Sequence, residues 1–278
     1  MPIILAVWPV SACTSLFFYP DTVNYGTPGE FGLYHQDIFL RTPDRIQLHG
    51  WFLPSPGEAK ATVYFLHGNA QNISAYIPSV YWLPKKGYDV FMLDYRGYGD
   101  STGSATFPGA VLDIETGFAW LTGHHKLRNK PIFLLGQSLG ASLTVYVVAT
   151  HEDIKNRLSG IILDAPVSNF RTLAREKLGG FWLTWPLQYP LSLIVNNDYN
   201  PEAVIQNMTP VPVLIMHSDE DQVVPTSQSQ RLYQLAGKPK FYQTTRGGHI
   251  ATFKYAEYRQ EVLDFMSRFA NSDNPPVQ

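Results

Sequence analysis

Residues 131–150 constrain this chain more than any others. They read Pro-Ile-Phe-Leu-Leu-Gly-Gln-Ser-Leu-Gly-Ala-Ser-Leu-Thr-Val-Tyr-Val-Val-Ala-Thr, an apolar strand running into an apolar helix with a serine between two glycines at the joint. A turn this sharp puts its apex residue in strained dihedrals. Side chains at Gly136 or Gly140 would collide with the adjoining strand and helix. The layout is that of a nucleophile elbow, with the Ser138 hydroxyl at the carboxyl edge of a sheet and at a helix N-terminus. A second Gly-x-Ser-x-Gly, residues 99–103, follows a turn-rich stretch and precedes no helical apolar spacing. It fails the strand-turn-helix test, so Ser101 reads as a loop residue.

The chain has 278 residues, 45% of them hydrophobic and 16% charged, which suits one α/β domain around a single core. A net charge of -2 without a lysine or arginine run offers no footprint for nucleic acid. One cysteine among 278 residues allows no internal disulfide. The histidines show no metal-ligand spacing, and the adjacent His124 and His125 read as a solvated loop; no metal or organic cofactor is expected.

That cysteine stands in an informative place. Residues 1–12 are apolar except for Ser11, and Val10-Ser11-Ala12-Cys13 resembles a bacterial lipobox. Cleavage before Cys13 and lipidation of its thiol would tether the protein to a membrane surface in the bacterial cell envelope. Thr14 in the next position points, by resemblance to Gram-negative lipoproteins, to the outer membrane. The alternatives are an apolar arm packed on the domain and a cytoplasmic protein, since no lysine or arginine precedes the apolar run and Pro2 and Pro9 make it a poor helix. The run is too short to span a bilayer, which needs ~20 apolar residues.

Three regions follow: an N-terminal segment and lead-in (1–29), a main domain (30–270) and a flexible tail (271–278). Alternating stretches at 36–41 and 45–53 form an antiparallel hairpin. Strands are then expected at 61–66, 89–94, 132–135, 160–163, 211–217 and 240–243. Helices are expected at 74–86, 109–121, 139–150, 227–236 and 255–269. The alternation implies an α/β fold with a mostly parallel, eight-stranded sheet covered by helices on both faces. About 45 residues separate the strands ending at 164 and beginning at 211, too many for a simple connection. This insert, 167–210, is expected to be a small helical cap. Its aromatic residues Phe181, Trp182, Trp185 and Tyr189 form either the cap's own core or the lining of an apolar substrate pocket, with Trp182 and Trp185 the substrate-binding candidates.

A serine hydroxyl needs a base, itself oriented by a carboxylate, to attack a carbonyl at neutral pH. Asp219, Glu220 and Asp221 follow one expected strand, and His249 sits in a glycine-lined loop after the next. The chain order serine, acid, histidine and the strand-end placement are those of one superfamily. Over residues 30 to about 270 the chain resembles the α/β hydrolases, specifically compact serine hydrolases related to eukaryotic abhydrolase-domain proteins and bacterial lipoprotein hydrolases of the serine aminopeptidase-like branch. Four motifs carry the resemblance: His67-Gly68-Asn69-Ala70-Gln71-Asn72, the stretch from Asp94 to Ser101, the elbow, and the acid and histidine loops. The family's spacing of three residues from the acid to a Val-Pro pair selects Asp221. The resemblance also implies an oxyanion hole from the amides of Leu139 and Asn69, and structural duty for His67, Asp94 and Arg96. His217, ending a buried strand, reads as a core histidine.

The expected chemistry is hydrolysis through an acyl-enzyme on Ser138 of a small-molecule or lipid ester with an apolar acyl group, such as a lysophospholipid or acylglycerol. A peptidase, aminopeptidase or thioesterase is the alternative. A non-catalytic envelope protein using the hydrolase scaffold for binding is the third reading, disfavoured because all three triad positions are filled.

Overall fold

The computed structural model describes residues 17–179, 185–195 and 197–270. Eight strands form its main sheet: β1 (Gln36–Arg41), β2 (Gln47–Leu53), β3 (Ala61–Leu66), β4 (Tyr88–Leu93), β5 (Ile132–Gln137), β6 (Leu158–Asp164), β7 (Val213–Ser218) and β8 (Lys240–Thr245). Their order across the sheet is β8-β7-β6-β5-β3-β4-β2-β1. The β1/β2 and β2/β4 pairs are antiparallel and the other pairs parallel. The expected mostly parallel eight-stranded sheet is therefore present.

Period-two alternation on a sheet covered on both sides explains the continuous apolar strands. Along β3, Ala61, Val63 and Phe65 enter one core, and Tyr64 and Leu66 the other. Helices α2 (Phe107–Gly123) and α3 (Leu139–Thr150) build the first face; α1 (Ile73–Val80) and α6 (Ala256–Ala270) build the second. Another helix, α5 (Thr226–Leu235), lies against β7 and β8.

Three elements are shorter than the sequence suggests; β7 begins at Val213 rather than Val211, and the other two differ for local reasons. The expected helix 74–86 ends at Val80, and a separate 3-10 turn, Pro84–Lys86, follows. Proline supplies no amide to continue the first helix. Strand β2 begins at Gln47 because Thr42 accepts the amide of Arg45, whose φ is 70°, and Ile46 accepts that of Thr42, closing a turn over the expected strand start.

Residues 17–28, expected as an irregular lead-in, are tied to the domain. Tyr19 and Pro20 pair with Ala70 and Gln71, and Phe18 packs edge-on against Phe107. The carbonyl of Asp21 accepts the amide of Gly99 and the side-chain amide of Asn72.

The segment between β6 and β7 carries the short helices expected of a cap, including α4 (Phe170–Gly179). Phe181, Trp182 and the side chain of Trp185 lie outside the described residues, as do Cys13 and the tail 271–278. Tyr189 lies at the surface of this segment. It is 63% exposed, with the Arg175 guanidinium 4.9 Å above its ring in a cation-π contact. Among the described residues no helix is long and apolar enough to cross a membrane.

Candidate active site

The site begins with backbone geometry. Ser138 has φ 53° and ψ -115°, so the chain reverses within one residue between β5 and α3. A Cβ on Gly136 would stand 2.6 Å from the backbone of Ala141, and one on Gly140 would stand 2.2 Å from the carbonyl oxygen of Leu66. Both contacts are forbidden, which is why glycine flanks the serine. Of five non-glycine residues with positive φ among those described, four lie at this end of the sheet: Gln71, Ser138, Ala165 and Ile250. Strain persists where surrounding structure imposes it, and it concentrates at functional sites.

The Ser138 hydroxyl lies 2.9 Å from His249 Nε2, and His249 Nδ1 lies 2.7 Å from Asp221 Oδ2. These residues are brought together from the ends of β5, β7 and β8, across 111 residues of sequence. Oδ1 of Asp221 accepts the amides of Val223 and Val224 at 2.7 and 2.9 Å, fixing the carboxylate plane. Burial pushes the Asp221 carboxyl up, but hydrogen bonds from His217 and His249 outweigh it and hold the group well below the usual carboxylate range. Asp219 and Glu220 are exposed, and Glu220 accepts the amide of Gly247 instead of reaching the histidine.

His217 is the core histidine read from sequence, with one contact that the reading did not foresee. It is a fully buried core histidine, but its Nε2 also sits 3.2 Å from Asp221 Oδ2 and 2.9 Å from the carbonyl of Val224. Sequence reasoning also passed over Asp164, a buried carboxylate ending β6. It accepts from Gln137 Nε2 at 2.8 Å and Thr252 Oγ1 at 2.7 Å, and its main-chain carbonyl accepts the Ser138 amide. Burial raises its pKa, and the two hydrogen bonds offset part of that rise.

Comparison with known proteins places this arrangement. Residues 57–211 match the family described as serine aminopeptidase, S33. The chain belongs to that family, within the α/β hydrolases. It is 33% identical to the uncharacterized protein YfhR of Salmonella typhi over 90% of this chain and 86% of the relative. It is 28% identical to protein bem46 of Schizosaccharomyces pombe over 91% and 83%. The fold is shared with the Pyrococcus furiosus esterase Pf2001, with a TM-score of 0.74 at 21% identity, covering 91% of this chain and all of that one. The protein is thus a hydrolase of the S33 family.

In this S33-family chain, the loop after β3 is held by a chain of contacts. His67 Nδ1 donates to the carbonyl of Gly68 at 2.8 Å. A trans peptide sets its N–H opposite its C=O, so this bond aims the Asn69 amide, which belongs to the same peptide. The next carbonyl, that of Asn69, accepts from the Tyr98 hydroxyl and the Tyr19 amide, each at 2.7 Å. Leu139 is the first residue of α3, where amides lack intrahelical partners and the helix dipole favours negative charge.

Burial drives His67 down to about 3 and Asp94 up to about 8, in each case disfavouring the charged form. His67 Nε2 stands 3.4 Å from Asp94 Oδ1, which also accepts the amide of Ile73. Arg96 makes a fork to Asp113 and Asp44, at 2.8 and 2.7 Å, that ties the loop after β4 to α2 and the β1–β2 turn. Ser101 is buried as a clasp: its hydroxyl donates to the carbonyl of Asp94 and accepts the amide of His49, both at 2.8 Å.

Proposed function

We propose that this hydrolase is a serine esterase whose nucleophile is Ser138, with His249 as general base and Asp221 as its orienting acid. The observation that carries the reading is the continuous path from Ser138 Oγ through both ring nitrogens of His249 to Asp221. His249 takes the hydroxyl proton as Oγ attacks an ester carbonyl. The amides of Asn69 and Leu139 receive the charge that develops on oxygen. The proton then passes to the leaving alcohol, the carbon–oxygen bond breaks, and water repeats the sequence on the acyl-enzyme.

An aminopeptidase needs an acid to hold the substrate's free amine. Two acids of the segment between β6 and β7 are already engaged, Glu176 with Gln228 at 2.9 Å and Glu202 with Asn169 at 2.6 Å. This supports ester over peptide substrates. The apolar acyl group is assigned to the cap, with Trp182 and Trp185 as its contacts. We further propose that Cys13 is lipidated and holds the enzyme at the bacterial envelope, where lysophospholipids and acylglycerols are at hand.

The test is a panel of 4-nitrophenyl esters of rising chain length, aminoacyl 4-nitroanilides and a fluorophosphonate probe. Ester turnover that rises with acyl length, with labelling at Ser138, is expected. Faster anilide cleavage overturns the ester reading, and absence of labelling overturns Ser138. Membrane fractionation of the full chain and of Cys13→Ser tests the anchor.

A further inference from the structure

A cleft of about 250 Å³ opens beside His249, between α1 and the short turn Thr252–Lys254. Its wall includes Tyr76, whose hydroxyl would be 2.5 Å from a Cβ on Gly68; the same Cβ would be 3.6 Å from Ser138 Cβ. The cleft thus adjoins the neighbourhood of the nucleophile through His249 and Tyr76. Gln71 and Ile250, which also line it, have φ of 67° and 51°. Positive φ at a β-branched residue is a genuine outlier. One strained residue lies two positions after Asn69 and the other directly after His249, so the cleft is walled by extensions of the two loops that flank the reacting atoms.

The charge in the cleft is one-sided. Lys254 is the one lysine or arginine lining it, and no carboxylate does. Among the described residues the Lys254 ammonium has neither an ion pair nor a hydrogen bond; its main chain alone is engaged, the amide with the Ala251 carbonyl and the carbonyl with Arg259. The neighbouring cations are committed: Arg246 to Glu257, and Arg259 to the Phe253 carbonyl and the Tyr81 ring.

Collapse of the tetrahedral intermediate requires His249 to hand its proton to the leaving atom, so the leaving group lies on the His249 side. We propose that this cleft is the leaving-group subsite and that it takes an alcohol or amine bearing an anionic group, held by Lys254, with Gln71 and Ser79 as neutral partners. The inference rests on the serine hydrolase reading above. A phosphate on a glycerol-sized alcohol and the terminal carboxylate of a peptide share this chemistry.

Two measurements test it. The first is binding to the Ser138→Ala protein, which needs no turnover, followed by ligand-observed NMR with glycerol 3-phosphate, glycerol and alanyl-alanine. Glycerol 3-phosphate or alanyl-alanine should bind and glycerol should not. Lys254→Ala should weaken that binding about fivefold, the scale of an exposed ion pair, and Lys254→Glu should abolish it. The tighter of the two anions identifies the source. The second compares 1-butyryl-glycerol 3-phosphate with 4-nitrophenyl butyrate in otherwise native enzyme. Lys254→Glu should raise KM for the phosphate ester at least fivefold more than for the neutral one, and Ser79→Trp should penalise both relative to methyl butyrate. Equal binding of either anion by native and Lys254→Glu proteins, or equal KM changes on the two esters, overturns the subsite. Fluorophosphonate labelling of Ser138 reports separately on the hydrolase reading.

Discussion

His217 and His249 bring ring nitrogens to the same oxygen, Oδ2 of Asp221, at 3.2 and 2.7 Å. His249 donates to that oxygen, and the His217 N–H, which donates to the Val224 carbonyl, lies close enough to add to the electrostatic field that keeps the carboxylate ionised.

Removing the His217 N–H while keeping the volume should therefore be felt at the Asp221–His249 pair. His217→Phe is expected to lower kcat about tenfold with little change in KM, the equivalent of one hydrogen bond of ~1.4 kcal/mol. The acid side should shift too. A carboxylate held below its ordinary pKa contributes stability that is present above ~3.9 and lost as pH falls. His217→Phe should unfold at a higher pH than the native chain during acid titration followed by circular dichroism. Unchanged kcat and acid midpoint would show that His217 only fills space.

The three consecutive acids are separated by geometry. Asp221→Asn should cost about four decades in kcat, as removal of a triad carboxylate does, because the amide leaves His249 in the wrong tautomer. Asp219 is exposed, and Asp219→Asn should stay within a small factor. Steady-state kinetics on one ester decides this, and a reversed ranking assigns the acid to Asp219.

Ser138→Ala should abolish labelling and lower kcat by about a millionfold while leaving the fold intact. Ser101→Ala should do the opposite. It strips two buried hydrogen bonds and is expected to lower stability by about 1–3 kcal/mol with kcat per folded molecule retained. Denaturant melts and active-site titration on both variants separate the two roles.

Asp94 gives a pH signature. The folded chain holds its proton up to about 8, whereas an unfolded aspartate releases it at ~3.9. Between these values the folded state binds more protons, so this group's contribution is fully present below ~3.9 and is lost as pH rises toward 8. Asparagine keeps the acceptor for the Ile73 amide and does not titrate. The urea midpoint of Asp94→Asn should gain on that of the native chain between pH 5 and pH 8, and parallel midpoints would mean that Asp94 is ionised throughout. His67 acts in the other direction in both proteins: its depressed pKa contributes stability present above ~6.5 and lost as pH falls toward about 3.

The sequence by itself determined the hydrolase fold and the strand ends that carry the polar residues, because both depend on local rules. Period-two apolar strands alternating with helices specify a doubly covered sheet, and glycine on both sides of Ser138 specifies a turn only glycine permits. What tertiary structure alone decided was which polar groups meet. Asp221 was distinguished from Asp219 and Glu220 in sequence through family spacing, whereas in the structure the turn after β7 points one of three adjacent acids inward. His217 looked like any core histidine, since the carboxylate it touches is reached only when that turn folds back. The cleft at Lys254 joins residues 71 and 254, 183 positions apart, and no local pattern announces such a meeting. Propensity acts over a few neighbouring residues, but hydrogen bonds and buried charge act across whatever the fold brings within 3 Å.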